Sequence, residues 1–141
     1  MNDPTCIFCQ IIAREAPAYI LDENEQVIVF LALSNHPMVV PKAHIPDLFA
    51  MPDDVGAAIM ASAAKVARAL KAALGCDGVY LTQANGYAAA QDVFHYHLHL
   101  YPAWGDTLRR AVEQFAVAIA DPAGMTDESK TALAEKLRRH L

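Results

Sequence analysis

From Phe94 to Tyr101 the chain reads Phe-His-Tyr-His-Leu-His-Leu-Tyr, with His95, His97 and His99 at every second position. Alternate residues of an extended chain point to opposite faces. A strand over residues 93–101 therefore carries three imidazoles on one side, spaced roughly 6.5–7 Å apart. Tyr96, Leu98 and Leu100 fall on the other side, where they pack on a core. The segment demands a sheet with one apolar face and a second face committed to histidine. Half of the chain's six histidines lie in the five residues 95–99.

The rest of the chain supplies such a sheet. Residues 6–14 have near-helical spacing of Ile7, Ile11 and Ile12, and Pro17 helps to end that helix. Residues 18–21 and 26–33 read as strands about an Asp22–Glu25 turn. Val27, Val29, Leu31 and Leu33 alternate with Ile28 and Phe30, which suits a strand buried on both faces. Pro37–Pro41 is a further short strand, and 79–83 another. Pro52–Leu74 is the clearest helix. Pro52 suits a first helical position, Asp53 and Asp54 suit the positive end of the dipole, and Gly75 suits the stop. Ile59, Ala63, Val66, Leu70 and Leu74 form its apolar stripe. Residues 107–119 and 127–140 carry helical patterns. The order predicts an α+β fold with a mainly antiparallel sheet.

A chain of 141 residues, 55% of them apolar, points to one domain over 1–141 with a self-standing core. Residues 103–141 form a helical extension without motifs. No stretch reaches the ~18 uninterrupted apolar residues of a membrane span. The short polar N-terminus shows no signal-peptide pattern, and the expected location is the cytoplasm. The net charge is −5 and the eleven basic residues are scattered, which argues against a nucleic-acid surface. Any bound phosphate must be held by local donors.

The histidines admit three readings: a solvated polar face, a metal site, or a nucleophile with its helpers. His-x-His on a strand is a common ligand pair. Neutral imidazole is equally a competent nucleophile near pH 7. Cys6 and Cys9 form a C-x-x-C, and three cysteines in all argue against a disulfide framework. The pair reads as half of a zinc site awaiting two further ligands, as a redox couple, or as two buried thiols. Cys76 reads as a small buried residue.

The His-φ-His-φ-His-φ-φ pattern, with φ apolar, resembles the signature of the histidine-triad (HIT) superfamily of nucleotide hydrolases and transferases. Asn85–His95 resembles the Gly- and Ala-rich loop before that strand, Val39-Val40-Pro41-Lys42-Ala43-His44 an upstream Pro-Lys-x-His block, and Cys6-Ile7-Phe8-Cys9 the N-terminal block of bacterial members. The match spans about residues 6–102. The resemblance implies a five-stranded antiparallel sheet with a long helix, paired into a homodimer. It implies that His97 attacks the α-phosphorus of a small nucleotide substrate and forms a nucleotidyl-histidine. His99 would hold a phosphate oxygen or the bridging atom, Gln91 and backbone N–H groups near Asp92 the other oxygens, and His36 would approach the site. Ile7, Phe8, Phe30, Leu31 and Ala90 match positions around the nucleotide, although each apolar one reads equally as core. A structural zinc would sit on Cys6, Cys9, His44 and His95.

The sequence departs from the family pattern at four points. Ala32 stands where relatives commonly carry a ribose-binding Asp, and the loop from Phe30 to His36 is about four residues short. Ala84 and Ala90 replace a frequent Asn and Gly, and Ala103 a frequent Arg. Ribose recognition is therefore expected to differ, and a nucleotide-binding zinc protein without chemistry is the alternative function.

Overall fold

A computed structural model describes residues 3–112 and 137–139. The chain divides into two compact units, 1–104 and 105–141. The first contains helix α1 (Ile7–Ile12), strands β1 (Ile20–Glu23), β2 (Val27–Leu31) and β3 (Pro37–Pro41), helix α2 (Asp53–Leu74), and strands β4 (Gly78–Thr82) and β5 (Leu98–Ala103). In the second, residues 107–112 are helical, and Arg110 pairs with Asp106 one turn away. The remainder of the expected 107–119 helix and nearly all of 127–140 lie outside the described residues.

All five strands join one sheet in the order β1-β2-β3-β5-β4, and every neighbouring pair is antiparallel. The α+β expectation holds. Period-two alternation sorts side chains onto two covered faces. Val27, Val29, Val39, Leu98 and Leu100 join Tyr96 against Ile59, Ala63, Val66 and Leu70 of α2. Ile28, Phe30, Met38 and Val40 face the other way, against Phe8 and Ile11 of α1.

Helix α2 runs as its sequence dictates. Its acidic first turn meets the positive dipole end, and Gly75, at φ 62°, takes the left-handed cap and donates its N–H to Lys71 O. The stripe departs from expectation only at Leu74, which is half exposed and lines an open cavity with Leu21, Leu31 and Leu70.

The histidine strand is shorter than the alternation implies. β5 starts at Leu98, not Val93, so His95 and His97 lie in the segment leading into it. The reason lies in the neighbour. Pro41 has no N–H for the ladder, and β3 ends there. Only Met38↔His99 and Val39↔Leu98 pair, and beyond them Tyr96 N–H reaches Ile45 O at 2.6 Å. The alternation of faces survives, because Tyr96 remains in the α2-side core.

Candidate active site and metal centre

The β2–β3 connection is a tight turn. Ala32 N–H donates to His36 O at 2.9 Å, Asn35 N–H to Ala32 O at 3.0 Å, and Asn35 takes φ 59°. Asparagine tolerates this left-handed backbone better than most side chains. The turn delivers His36 to the α1 face of the sheet with 3% of its surface exposed. There His36 Nε2 lies 2.7 Å from His99 Nδ1, and its Nδ1 lies 3.1 Å from Ser34 Oγ. Burial pushes the His36 pKa below the ordinary histidine value. His99 is pushed down to about 4, chiefly by burial and then by the neighbouring His97 and His36. It is therefore a neutral imidazole at pH 7.

His97 sits beside this pair, its ring centroid 4.9 Å from that of His99. Its Nδ1 is 2.7 Å from the carbonyl oxygen of His95. A carbonyl only accepts, so Nδ1 carries the ring's proton and Nε2 keeps a lone pair. Phe8 closes the site edge-on: its ring is 5.2 Å from His97, 5.8 Å from His95 and 5.6 Å from Phe30.

His95 points away from this pair into a second cluster. Cys6 Sγ lies 3.4 Å from His95 Nδ1, and Cys9 Sγ lies 3.3 Å from His44 Nδ1 and 3.6 Å from His95 Nδ1. All four donor atoms fall within 4.8 Å of one another. Tetrahedral zinc, with Zn–S about 2.3 Å and Zn–N about 2.0–2.1 Å, places sulfur and nitrogen about 3.5 Å apart. The four residues fit that ion. His95 Nε2 donates to Pro41 O at 2.9 Å, so its Nδ1 is bare and faces the sulfurs, and an outer hydrogen bond orients the ring. Among the described residues this is the one such group. The alternative of a metal held by all three triad histidines finds no support, because His95 turns to the cysteines.

The remaining expected site residues separate. Phe8 and Phe30 line the α1 face beside His97. Ile7 is 45% exposed, which excludes a plain core role. Leu31 turns to the α2 face with Val27 and Val29, where it lines the cavity with Pro37 and Val66, away from the histidines. Gln91, expected on phosphate oxygens, is buried. Its Oε1 accepts from Gly86 N–H at 2.7 Å and its Nε2 donates to Pro46 O at 2.6 Å and Val93 O at 3.1 Å. Its amide is spent on holding the loop before His95 in shape. Gly86 in that loop, at φ 85°, has a backbone few side chains adopt. Ala90 follows at φ 64°, exposed, where the family's frequent glycine is free of strain. Asp92 is exposed, and its Oδ1 accepts from Val93 N–H.

Two residues of the site escaped the sequence reading. Tyr101 stacks on His36 with ring centroids 3.9 Å apart, and Ser34 bonds the far side of the same ring. The signal for Tyr101 was present: it extends the 95-97-99 alternation by one step. Ser34 had no comparable signal.

Comparison with known proteins follows the same lines. The model of the HIT domain family matches residues 13–104. The crystal structure of a HIT family protein from Bacillus anthracis superposes with a TM-score of 0.84 at 33% identity, covering 98% of both chains. A Zn-bound histidine triad family protein from Mycobacterium smegmatis superposes with a TM-score of 0.69 at 32% identity, over 81% of this chain and 97% of that one. The Arabidopsis thaliana protein named adenylylsulfatase HINT3 is 35% identical over 101 residues, 69% of this chain and 51% of its own length. The fold, the four-ligand cluster and these matches together establish that the chain belongs to the HIT domain family.

Proposed function

We propose that the chain is a nucleotide hydrolase or transferase. It acts at the α-phosphate of a nucleoside phosphoramidate, an adenylylated amine or a dinucleoside polyphosphate, with His97 as nucleophile. The observation that carries this reading is the 2.7 Å bond between His97 Nδ1 and the His95 carbonyl, which puts the proton of the neutral ring on Nδ1 and its lone pair on Nε2. Nε2 attacks phosphorus, a P–Nε2 bond forms, and the bond to the leaving nitrogen or oxygen breaks. The leaving group, hydrogen-bonded by His99, takes up a proton from solvent. Water then attacks phosphorus and gives a proton back to solvent, the P–Nε2 bond breaks, and the nucleotide is released. Two displacements replace one difficult step. The relative named adenylylsulfatase supports chemistry at an adenylyl phosphorus on this fold.

Ile7, Phe8 and Phe30 offer the apolar surface for the base, and the backbone about Ala90 and Asp92 offers donors to phosphate oxygens. Leu31 and Gln91 serve from behind, as a packing residue and a loop clamp. His36 orients His99. Zn2+ on Cys6, Cys9, His44 and His95 ties α1 to the end of β3 and to the segment that carries His97. The working unit is a homodimer, to be checked by sedimentation against the 15.3 kDa chain mass.

His97→Ala and His97→Asn remove turnover while zinc content and fold remain. Brief incubation with labelled substrate places label on His97. Undiminished turnover in either variant refutes the assignment. The other function expected from the sequence, a binding module without chemistry, is favoured by Ala32 in the tight turn. Titration of AMP and phosphoramidates that shows tight binding without turnover selects it.

A further inference from the structure

We infer that Tyr101 and Ser34 are positioning residues that between them fix the ring of His36, which in turn fixes the ring of His99. The inference rests on the reading above that His99 meets the substrate.

The geometry is that of a ring held on three sides. Tyr101 lies two residues beyond His99 on β5 and shares its face. Its ring covers His36 at 3.9 Å with 28° between planes, and lies 5.8 Å from His99 at 23°. Behind it stands Tyr80, its register partner on β4, 6.4 Å away. Ser34 Oγ holds His36 Nδ1 at 3.1 Å, and His36 Nε2 meets His99 Nδ1 at 2.7 Å. With a flat ring on its face, a bond at each nitrogen and 3% of its surface exposed, His36 is held in one orientation and shielded from solvent.

Two consequences follow for His99. One proton lies between His36 Nε2 and His99 Nδ1, so the tautomer of one ring dictates that of the other. A hydrated His36 would also take a second proton in the ordinary histidine range. That charge would stand beside His99, which already faces His97 and Asp92. Tyr101 excludes the water that would make this happen. The stack uses the tyrosine ring and not its hydroxyl, so phenylalanine preserves it.

The experiment compares Tyr101→Phe, Tyr101→Ala and Ser34→Ala. The His36 ring is followed by long-range 1H–15N NMR against pH, beside steady-state kinetics on a nucleoside phosphoramidate. Wild type and Tyr101→Phe are expected to hold His36 unprotonated below the ordinary value. Tyr101→Ala is expected to let it titrate near about 6.5. In Tyr101→Ala, kcat falls about tenfold or more with KM within about twofold, and the acid limb of the rate profile moves to higher pH. Ser34→Ala moves both readouts in the same direction by less. If Tyr101→Ala does not fold, Tyr101→Leu is read in its place. An unaltered His36 titration and kcat in the folded Ala or Leu variant overturns the inference. Damage in Tyr101→Phe equal to that in Tyr101→Ala also overturns it, since the hydroxyl would then be responsible. Absence of turnover in the wild type strikes the proposed function instead, and the His36 titration still decides the stack.

Discussion

Replacing Cys9 by serine should separate the metal centre from the His97–His99 pair. Cys9 is 2% exposed, and its Sγ lies within 3.6 Å of both imidazole nitrogens, His44 Nδ1 and His95 Nδ1. A serine hydroxyl is a poorer ligand than a thiolate and does not ionise at neutral pH, so one strong donor of four is lost. When free zinc stands about a thousandfold above its Kd, binding stabilises the folded chain by about 4 kcal/mol. For a domain near 100 residues each kcal/mol moves Tm by about 4–8 °C. Loss of the ion should therefore lower Tm by about 15 °C or more. The assay is thermal unfolding with and without a chelator, beside zinc content of the purified protein. Wild type should hold one zinc per chain and drop in Tm on chelation. Cys9→Ser should hold little zinc and unfold at the lower temperature in both conditions. A variant that keeps one zinc per chain, or a wild type indifferent to chelation, refutes the Cys2His2 assignment. His97→Asn serves as control and should keep its zinc.

Chelation should also lower kcat more than it raises KM, because the carbonyl that orients His97 belongs to a zinc ligand; restored kcat on adding zinc back checks this, and unchanged kcat in metal-free protein contradicts it. Ile28→Ala, at a position with 0% exposure, should cost about 2–5 kcal/mol, read from urea unfolding. Ala90→Gly should be neutral to stabilising by up to about 1 kcal/mol, because it relieves a left-handed backbone at the cost of some chain entropy; a clear loss would disprove the strain. Stability should decline as pH falls from about 6.5 towards 4, since the unfolded chain binds protons that buried His36 and half-buried His99 refuse. His99→Gln should flatten that decline, as measured by Tm against pH.

Much of this architecture was legible because periodicity reports burial. The run from Val27 to Leu31 fills both faces of β2, and a strand between two helices demands that composition. The α2 stripe was equally plain up to Leu74, where the helix overhangs the groove and no neighbour covers the side chain fully. The family resemblance suggests Leu31 for the nucleotide site, whereas its parity with Val27 and Val29 sends it to the α2 side. Gln91 is a different case. An amide placed next to a phosphate loop looks free in sequence, and only the fold reveals that Pro46, Val93 and Gly86 consume it. The 31–36 loop is the tight turn that seats Ser34 and His36 about the His99 ring.

The two-residue period of the histidines joins two jobs in one segment. The side chain of His95 turns to the cysteines, while its carbonyl holds the ring of His97, the proposed nucleophile. His95 is itself restrained at Nε2 by Pro41 O and along its face by the edge of Phe8. The tautomer of His97 thus inherits its definition from a residue that cannot rotate. On the far side of the site, His99 inherits its definition from His36, held by Ser34 and Tyr101. Neither anchor is a charged group near the reacting centre, which accords with a motif that has no lysine or arginine. For the proposed chemistry at phosphorus, orientation of the imidazole rings, and not a positive field, is this fold's contribution.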